Sequence, residues 1–162
     1  MSQVLERDTV VELLRAVLPG ILENQPAVML AYLHGSVAEG CPLPDSDIDV
    51  ALVLRPDHGL SPYQRMLLEL DIGAEIEAAC GWHEMQLDVR SINDAPIMAQ
   101  GTVVTEGVCV YARDEEFRVD WETLTRKRYF DFEPVAHMMQ RAYFEHMGEA
   151  LRRKGLLEDD QP

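Results

Sequence analysis

A pair of aspartates that follows a glycine–serine turn is the part of this sequence best suited to chemistry. Gly35 and Ser36 are separated by ten residues from Asp47, and Asp49 follows two positions later. Residues two apart on a strand share a face, where two carboxylates repel each other unless a cation lies between them. Mg²⁺ favours such oxygen ligands and shares its coordination shell with substrate phosphates, and a Gly-Ser turn lets a phosphate approach the backbone closely. The pattern predicts metal-dependent nucleotidyl transfer.

Two strands must position this motif. Apolar runs stand directly before Gly35 and directly after Asp49. They predict a first strand over 28–33 and a second over 48–54, with a short helix after Ser36 between them. The alternative is a solvated, aspartate-rich surface turn, but solvated aspartates rarely open a buried apolar strand.

Capping residues and apolar periodicity predict the other elements. Thr9 and Glu12 form a capping-box pattern that predicts a helix over 9–18, although Ile21 and Leu22 could extend it beyond Pro19. Ser61 and the proline after it predict a second helix, which Gly81 would end. Further along the chain we expect a strand over 85–89, a helix over 96–100, a strand over 109–111, a helical segment over 119–130 and a long helix over 134–157.

Composition indicates a single cytoplasmic domain. The 162 residues are 47% apolar, enough for a folded core. The longest apolar runs are too short to cross a bilayer, and the N-terminus lacks the layout of a signal peptide. Three scattered cysteines (Cys41, Cys80 and Cys109) indicate reduced thiols.

The net charge indicates which kind of molecule would accept the nucleotidyl group. Twenty-nine acidic residues against 14 basic ones give a net charge of −15. Such a chain is repelled by a phosphate backbone, which argues against a polymerase, an RNA-tailing enzyme or any direct nucleic-acid partner. A protein or small-molecule acceptor fits better, a basic protein best of all. Alternatively, the acidity serves only solubility.

The Gly35-Ser36 turn and the Asp47-Ile48-Asp49 sequence resemble the signature of the DNA polymerase β-like nucleotidyltransferase superfamily. The resemblance implies an α/β fold, a small mixed sheet flanked by helices with a C-terminal helical extension. It also implies Mg²⁺, as two ions, and a third carboxylate on a neighbouring strand that accepts the proton of the attacking hydroxyl. Asp88 lies in an apolar strand after a helix and is our candidate; Glu84 is the fallback. A solvated Asp88, or one paired with Arg90, is the alternative.

Within that superfamily the chain looks most like the minimal nucleotidyltransferase (MNT) antitoxins of HEPN/MNT toxin–antitoxin pairs. The motif just described and the stretches 87–91, 107–111 and 128–132 carry the resemblance. It implies a cytoplasmic antitoxin that transfers AMP from ATP to a tyrosine of a HEPN RNase toxin, with which it would form a hetero-oligomer. Gly35 and Ser36 would hold the ATP phosphates, and Asp47, Asp49 and Asp88 would bind metal.

Two positions depart from the family's pattern. Residue 39 is Glu where the family commonly carries a basic residue, and residue 85 is Met where a further aspartate often stands. A small-molecule nucleotidyltransferase of the aminoglycoside-modifying type therefore stays open, as does an antitoxin that neutralises its toxin by binding alone. Arg141 and His146 match the Arg-x4-His spacing of a HEPN ribonuclease, but a pair on a helix surface explains them better.

We expect three segments along the chain. Residues 1–114 form the nucleotidyltransferase domain, residues 115–157 its C-terminal helical extension, and residues 158–162 a disordered tail. In the extension, the aromatic residues Tyr129, Phe130 and Phe132 are expected to lie in the core. Val135, Met138, Met139, Ala142, Met147 and Leu151 mark an apolar face of the long helix.

Overall fold

Helices and strands alternate around one sheet. The computed structural model describes residues 6–42, 46–82 and 87–156. Among these, no helix combines the length and the apolar content needed to span a membrane. In chain order the elements are α1 (Arg7–Leu22), β1 (Val28–His34), α2 (Gly35–Ala38), β2 (Ile48–Leu54), α3 (Pro62–Cys80), β3 (Leu87–Ser91), α4 (Ile97–Glu106), β4 (Val108–Ala112) and α5 (Glu115–Arg153).

The four strands form a mixed sheet in the order β3-β2-β1-β4. β1 pairs antiparallel with β2 and with β4, whereas β2 and β3 run parallel. The parallel pair is connected through α3, since parallel neighbours need a crossover connection. The predicted small mixed sheet flanked by helices is confirmed.

Alternation along the strands divides the core between the two faces of the sheet. Ala31 and Leu33 face the larger cluster, to which α1 and α3 contribute. Leu30 and Tyr32 point the other way, into a smaller cluster with Val103 of α4, against which residues of α5 also pack. Successive side chains of a strand point to opposite faces of the sheet. Every second residue of β1, counted from Leu30, therefore points to the face on which α4 and α5 pack.

Two helix starts were predicted from capping residues, and one is confirmed. At α3, the Ser61 hydroxyl accepts from the Gln64 backbone N–H and the Gln64 side chain accepts from the Ser61 N–H, and Gly81 ends the helix. The capping box at Thr9 is wrong, because α1 begins at Arg7 with Thr9 inside its first turns. α1 also passes through Pro19, since ending it there would remove the fully buried Leu22 from the core.

The region between β3 and β4 is more helical than predicted. α4 runs to Glu106 rather than to Gln100, because its second half carries Val103 and Val104 into the core. The predicted strand over 109–111 lies within β4, and β3 continues to Ser91, two residues beyond its predicted end. Glu84 and Met85 fall outside the described residues.

The C-terminal extension is one helix, which corrects the predicted break before Pro134. α5 spans 39 residues, begins at the Asp114 N-cap and contains Pro134 in its interior. Phe130 and Phe132 are exposed rather than in the core, because the buried residues of α5, Glu122 and Thr125, come before them and no described residue after Thr125 is buried. Exposed Val135, Met138 and Met139 continue this uncovered stretch. The expected tail over 158–162 lies outside the described residues.

Candidate active site

The candidate site lies where β1, β2 and β3 come together beside the Gly-Ser turn. His34, the last residue of β1, is in register with Asp49 of β2. Asp49 is in turn in register with Asp88 of β3. Residues in register on adjacent strands share a face, so these three side chains form one row across the sheet. The row lies on the same face as Tyr32, that is, on the side covered by α4 and α5.

Gly35 is held directly against the second aspartate. Its φ is +74°, which is in the left-handed region that favours glycine. A Cβ at residue 35 would collide with the Asp49 carboxylate oxygen. Glycine is therefore required here both by the backbone conformation and by the space that the carboxylate fills.

The first residues of α2 form a tight turn beside the aspartates. The Gly35 and Ser36 carbonyls accept from the backbone N–H groups of Glu39 and Cys41, with N–O distances of 3.1 and 3.0 Å. The Ser36 hydroxyl donates to the Ser46 hydroxyl oxygen at 3.0 Å. This bond joins the turn to the segment that carries Asp47, so the structure brings all four motif residues together at one end of the sheet.

Burial and repulsion act together on Asp49. Burial raises the pKa of its carboxyl group above the usual value, the nearby His34 opposes that shift, and the charges of Asp88 and Asp47 add to it. Burial also lowers the pKa of the His34 imidazole, against the pull of the two aspartates. The row thus concentrates negative charge in a partly buried place, where a cation would relieve the repulsion.

Asp88 has two sets of neighbours. Its position in the row places it beside Asp49, yet its carboxylate accepts from Arg90 Nε at 2.9 Å and its side chain is 52% exposed. The pairing with Arg90, weighed above as an alternative to a catalytic role, is therefore present. Glu84, the fallback third carboxylate, lies outside the described residues.

Carboxylates are the ligands that Mg²⁺ favours, so the donor set of the row fits this ion. In the described ranges, no three His, Cys, Asp or Glu side chains converge closely enough to hold a metal in this arrangement. To join an ion held by Asp47 and Asp49, Asp88 would have to share or release its contact with Arg90.

A buried ion-pair network next to the row has no counterpart in the sequence analysis. Glu122 of α5 is only 7% exposed and accepts from the Tyr32 hydroxyl at 2.8 Å, from Arg118 at 2.9 Å and from Arg126 at 3.2 Å. Tyr32 lies two residues before His34 on the same face of β1. The network therefore fixes α5 to the strand that leads into the site. A glutamate in a charge-rich helix gives no sequence signal of such burial.

Other residues singled out in the sequence lie away from the row. Arg141 and His146 are both exposed on the second half of α5, where no described residue is buried. The sequence also has two short basic runs, 126–128 and 152–154. The first contributes Arg126 to the Glu122 network, and the second lies exposed at the end of α5.

Solved structures of toxin–antitoxin complexes have a similar fold. A crystal structure of a toxin–antitoxin with AMP-PNP is 18% identical, covers 82% of this chain and 97% of its own, and has a TM-score of 0.59. A structure of the tri-AMPylated HEPN toxin of Shewanella oneidensis in complex with the MNT antitoxin is 17% identical, with coverage of 83% and 98% and a TM-score of 0.59. A crystal structure of the toxin–antitoxin MntA-HepT is 16% identical, with coverage of 84% and 97% and a TM-score of 0.57.

Sequence comparison gives the family. No curated protein matches the chain. The family described as "Polymerase beta, Nucleotidyltransferase" matches residues 18–116, a stretch that runs from α1 to the start of α5 and includes the whole row of His34, Asp49 and Asp88. The chain belongs to the polymerase beta nucleotidyltransferase family, and its fold is the one that this membership predicts.

Proposed function

We propose that the chain is a Mg²⁺-dependent protein adenylyltransferase that transfers AMP from ATP to a tyrosine of a HEPN RNase toxin and thereby acts as the antitoxin. The observation that carries the proposal is the row of His34, Asp49 and Asp88 with Gly35 packed on the central carboxylate. Family membership supports the reaction class. The AMP-PNP and the AMPylated HEPN toxin in structures of similar fold support the substrates.

In this proposal each site residue has a separate role. Gly35 and Ser36 hold the ATP phosphates through the backbone and the hydroxyl, and Asp47, Asp49 and Asp88 would hold Mg²⁺, as two ions. When bound, Mg²⁺ would neutralise the charge of the triphosphate and polarise the α-phosphate. The tyrosine oxygen attacks the α-phosphorus, the bond to pyrophosphate breaks, and Asp88 accepts the tyrosine proton.

His34 would serve as a neutral neighbour of the central aspartate. Burial lowers its pKa, which favours an uncharged imidazole, and its register position sets it beside Asp49. A neutral side chain there leaves the negative charge of the row available to a cation. The role is positional, since nothing requires His34 to exchange a proton with substrate.

The proposed setting is the cytoplasm, in a hetero-oligomer with the toxin. A net charge of −15 favours a basic protein as the partner and disfavours direct contact with nucleic acid. The proposed division at residue 115 assigns catalysis to residues 1–114 and leaves 115–157 as an extension of the same domain.

A second candidate is an antitoxin that neutralises by contact alone. Two observations favour it: the Asp88 carboxylate is engaged by Arg90, and Glu39 adds negative charge near the turn that would hold the phosphates. Both features weaken a metal and triphosphate site without affecting protein–protein contact.

Intact-mass measurement separates these two candidates. The purified chain is incubated with Mg²⁺, ATP and the product of the neighbouring gene, beside an Asp47→Asn/Asp49→Asn variant. Transferase action predicts a gain of whole AMP units on a tyrosine of the partner, absent with the variant. If a stable complex forms and neutralises the RNase without any mass gain, the transferase proposal is wrong and the contact-only antitoxin is correct.

A further inference from the structure

A broad groove lies at the β4 edge of the sheet, on the other side of β1 from the strands that carry Asp49 and Asp88. It has a cavity volume of about 860 Å³ and is lined by all of β4 together with side chains of α1, α4 and α5. We call it the β4-edge groove. None of Gly35, Ser36, Asp47, Asp49 and Asp88 lines it, so it is a second site rather than part of the candidate active site.

The β4-edge groove is positively charged in a strongly acidic protein. Four arginines line it against two glutamates, whereas the whole chain carries −15. Glu122 and Glu115 occupy Arg118, and Glu122 also binds Arg126. Among the described residues, Arg7 and Arg15 have no carboxylate partner, and both are exposed. The groove therefore presents unneutralised guanidinium groups.

These charges are spread along the groove. Arg7 and Arg15 are eight residues apart on α1, and Arg118 and Arg126 are eight apart on α5, which corresponds to about 12 Å along each helix. On α5 the single Glu122 carboxylate already contacts both Arg118 and Arg126. Among the described residues no carboxylate joins Arg7 to Arg15, so this second pair is open to an elongated anionic ligand that offers a carboxylate to each arginine.

A free strand edge forms the wall of the groove between the two helices. Within the part of the chain that the structure describes, β4 pairs with β1 alone, so its outer side has no strand partner. The Arg15 guanidinium donates to the Cys109 carbonyl of that edge at 3.2 Å. The five residues of β4 offer about 17 Å of backbone for pairing. An added peptide strand would match this length and would free Arg15 for a carboxylate.

We propose that the β4-edge groove binds an extended acidic segment of a protein partner, which adds to the sheet beside β4 and places its carboxylates against Arg7 and Arg15. Strand addition supplies backbone hydrogen bonds, and the arginines select acidic side chains. Single-stranded nucleic acid is also an elongated anion, but it has no peptide backbone that could pair with a strand edge. The proposal does not depend on AMP transfer.

Fluorescence anisotropy with the full chain tests it. The probe is a rhodamine-labelled peptide of four Glu-Val repeats, compared with a peptide of four Gln-Val repeats. We expect the acidic peptide to bind and the Gln-Val peptide to bind at least tenfold more weakly. In Arg7→Glu/Arg15→Glu, which leaves the Glu122 network intact, affinity for the acidic peptide should fall at least tenfold.

Two control variants distinguish the groove from other parts of the molecule. Arg152→Glu/Arg153→Glu changes the net charge by the same amount at the far end of α5 and should leave the affinity within twofold of wild type. Asp47→Asn/Asp49→Asn should also bind the peptide normally, because the groove is separate from the candidate active site. Equal weakening by both arginine pairs would overturn the groove as the site and leave only the net charge.

Other outcomes would also overturn the proposal. If the acidic peptide does not bind, the proposal is wrong. Unchanged binding of a peptide methylated at alternate backbone nitrogens would exclude strand addition. A thymidine oligonucleotide that binds more tightly than the peptide, and loses affinity in Arg7→Glu/Arg15→Glu, would assign the groove to nucleic acid. A wild-type dimer in analytical ultracentrifugation that this variant dissociates would assign it to a second copy of the chain.

Discussion

At the scale of single residues, the close packing of Gly35 on Asp49 links the turn to the carboxylate row. The sequence analysis predicts both residues and places the two aspartates on one face. It also expects Asp88 on a strand beside the pair, as the resemblance implies. It does not predict that His34 flanks Asp49 on the other side, because strand register depends on pairing between separate segments of the chain. The Asp88–Arg90 ion pair was anticipated only as an alternative.

Gly35→Ala should disturb this packing. The added methyl group collides with the Asp49 carboxylate and must adopt a positive φ, so we expect destabilisation of about 1–3 kcal/mol and a loss of transfer rate of roughly 100-fold. Urea unfolding and the rate of AMP incorporation measure the two effects. Gly59→Ala is the matched control: its φ is +66° but no atom lies within 4 Å of the new methyl group, so only the conformational cost remains. A Gly35 variant that resembles the Gly59 variant in both measurements would contradict this account.

Asp49→Asn should stabilise the protein while abolishing transfer. Removing the central charge ends the cost of burying it and relieves its repulsion with Asp88 and Asp47, and we expect the free energy of unfolding without Mg²⁺ to rise by about 1 kcal/mol. With Mg²⁺ and ATP present, the wild type should gain stability and the variant should not. Chemical denaturation under the two conditions checks this. A destabilised variant without Mg²⁺ would show that burial and repulsion together are outweighed by the attraction between Asp49 and His34.

At the scale of the elements, strands were easier to predict than helix ends. β1 and β2 match the prediction to within a residue, because continuous apolar runs and bounding turns define them locally. α5 was predicted as two helices on account of Pro134, whose missing N–H removes one hydrogen bond. The structure carries the helix through that position, and nothing near Pro134 in the sequence indicates it.

The Glu122 network should be the strongest polar contribution to the docking of α5. In Glu122→Gln the two arginines lose their charged acceptor in a buried place, and we expect a loss of about 3 kcal/mol in the free energy of unfolding. Glu149→Gln makes the same chemical change in the exposed pair with Arg153 and should cost less than about 0.5 kcal/mol. Urea denaturation of the two variants gives the comparison. Equal costs would mean that α5 is held by apolar contacts alone.

The second half of α5 should open far more readily than the first. Glu122 and Thr125 are the residues of this helix described as buried, and Met138, Met139, Tyr143 and Phe144 are all at least 60% exposed. A helix without tertiary packing is only marginally stable in water. We expect backbone amides over 136–153 to exchange at least tenfold faster than those over 119–129. Hydrogen exchange followed by mass spectrometry resolves the two halves, and equal protection would show that another surface covers this stretch.

At the scale of the whole molecule, composition and motif together were sufficient for the fold class, since the mixed sheet with flanking helices and the family are confirmed. The distribution of charge was not predictable in the same way. Although the net charge is −15, the molecule has a groove lined by four arginines, two from α1 and two from α5, which only folding brings together.

The measurement that tests the central claim most directly is the initial rate of AMP transfer to the HEPN partner from ATP labelled at the α-phosphate. Wild type would be compared with Asp47→Asn, Asp49→Asn, Asp88→Asn and, as a control, Asp57→Asn, whose exposed aspartate follows the end of β2 opposite to Asp49 and pairs with Arg55. We predict Mg²⁺-dependent transfer by the wild type and by Asp57→Asn, and a loss of at least 100-fold in each of the other three. Transfer that survives replacement of both Asp47 and Asp49 would contradict the assignment of catalysis to this row.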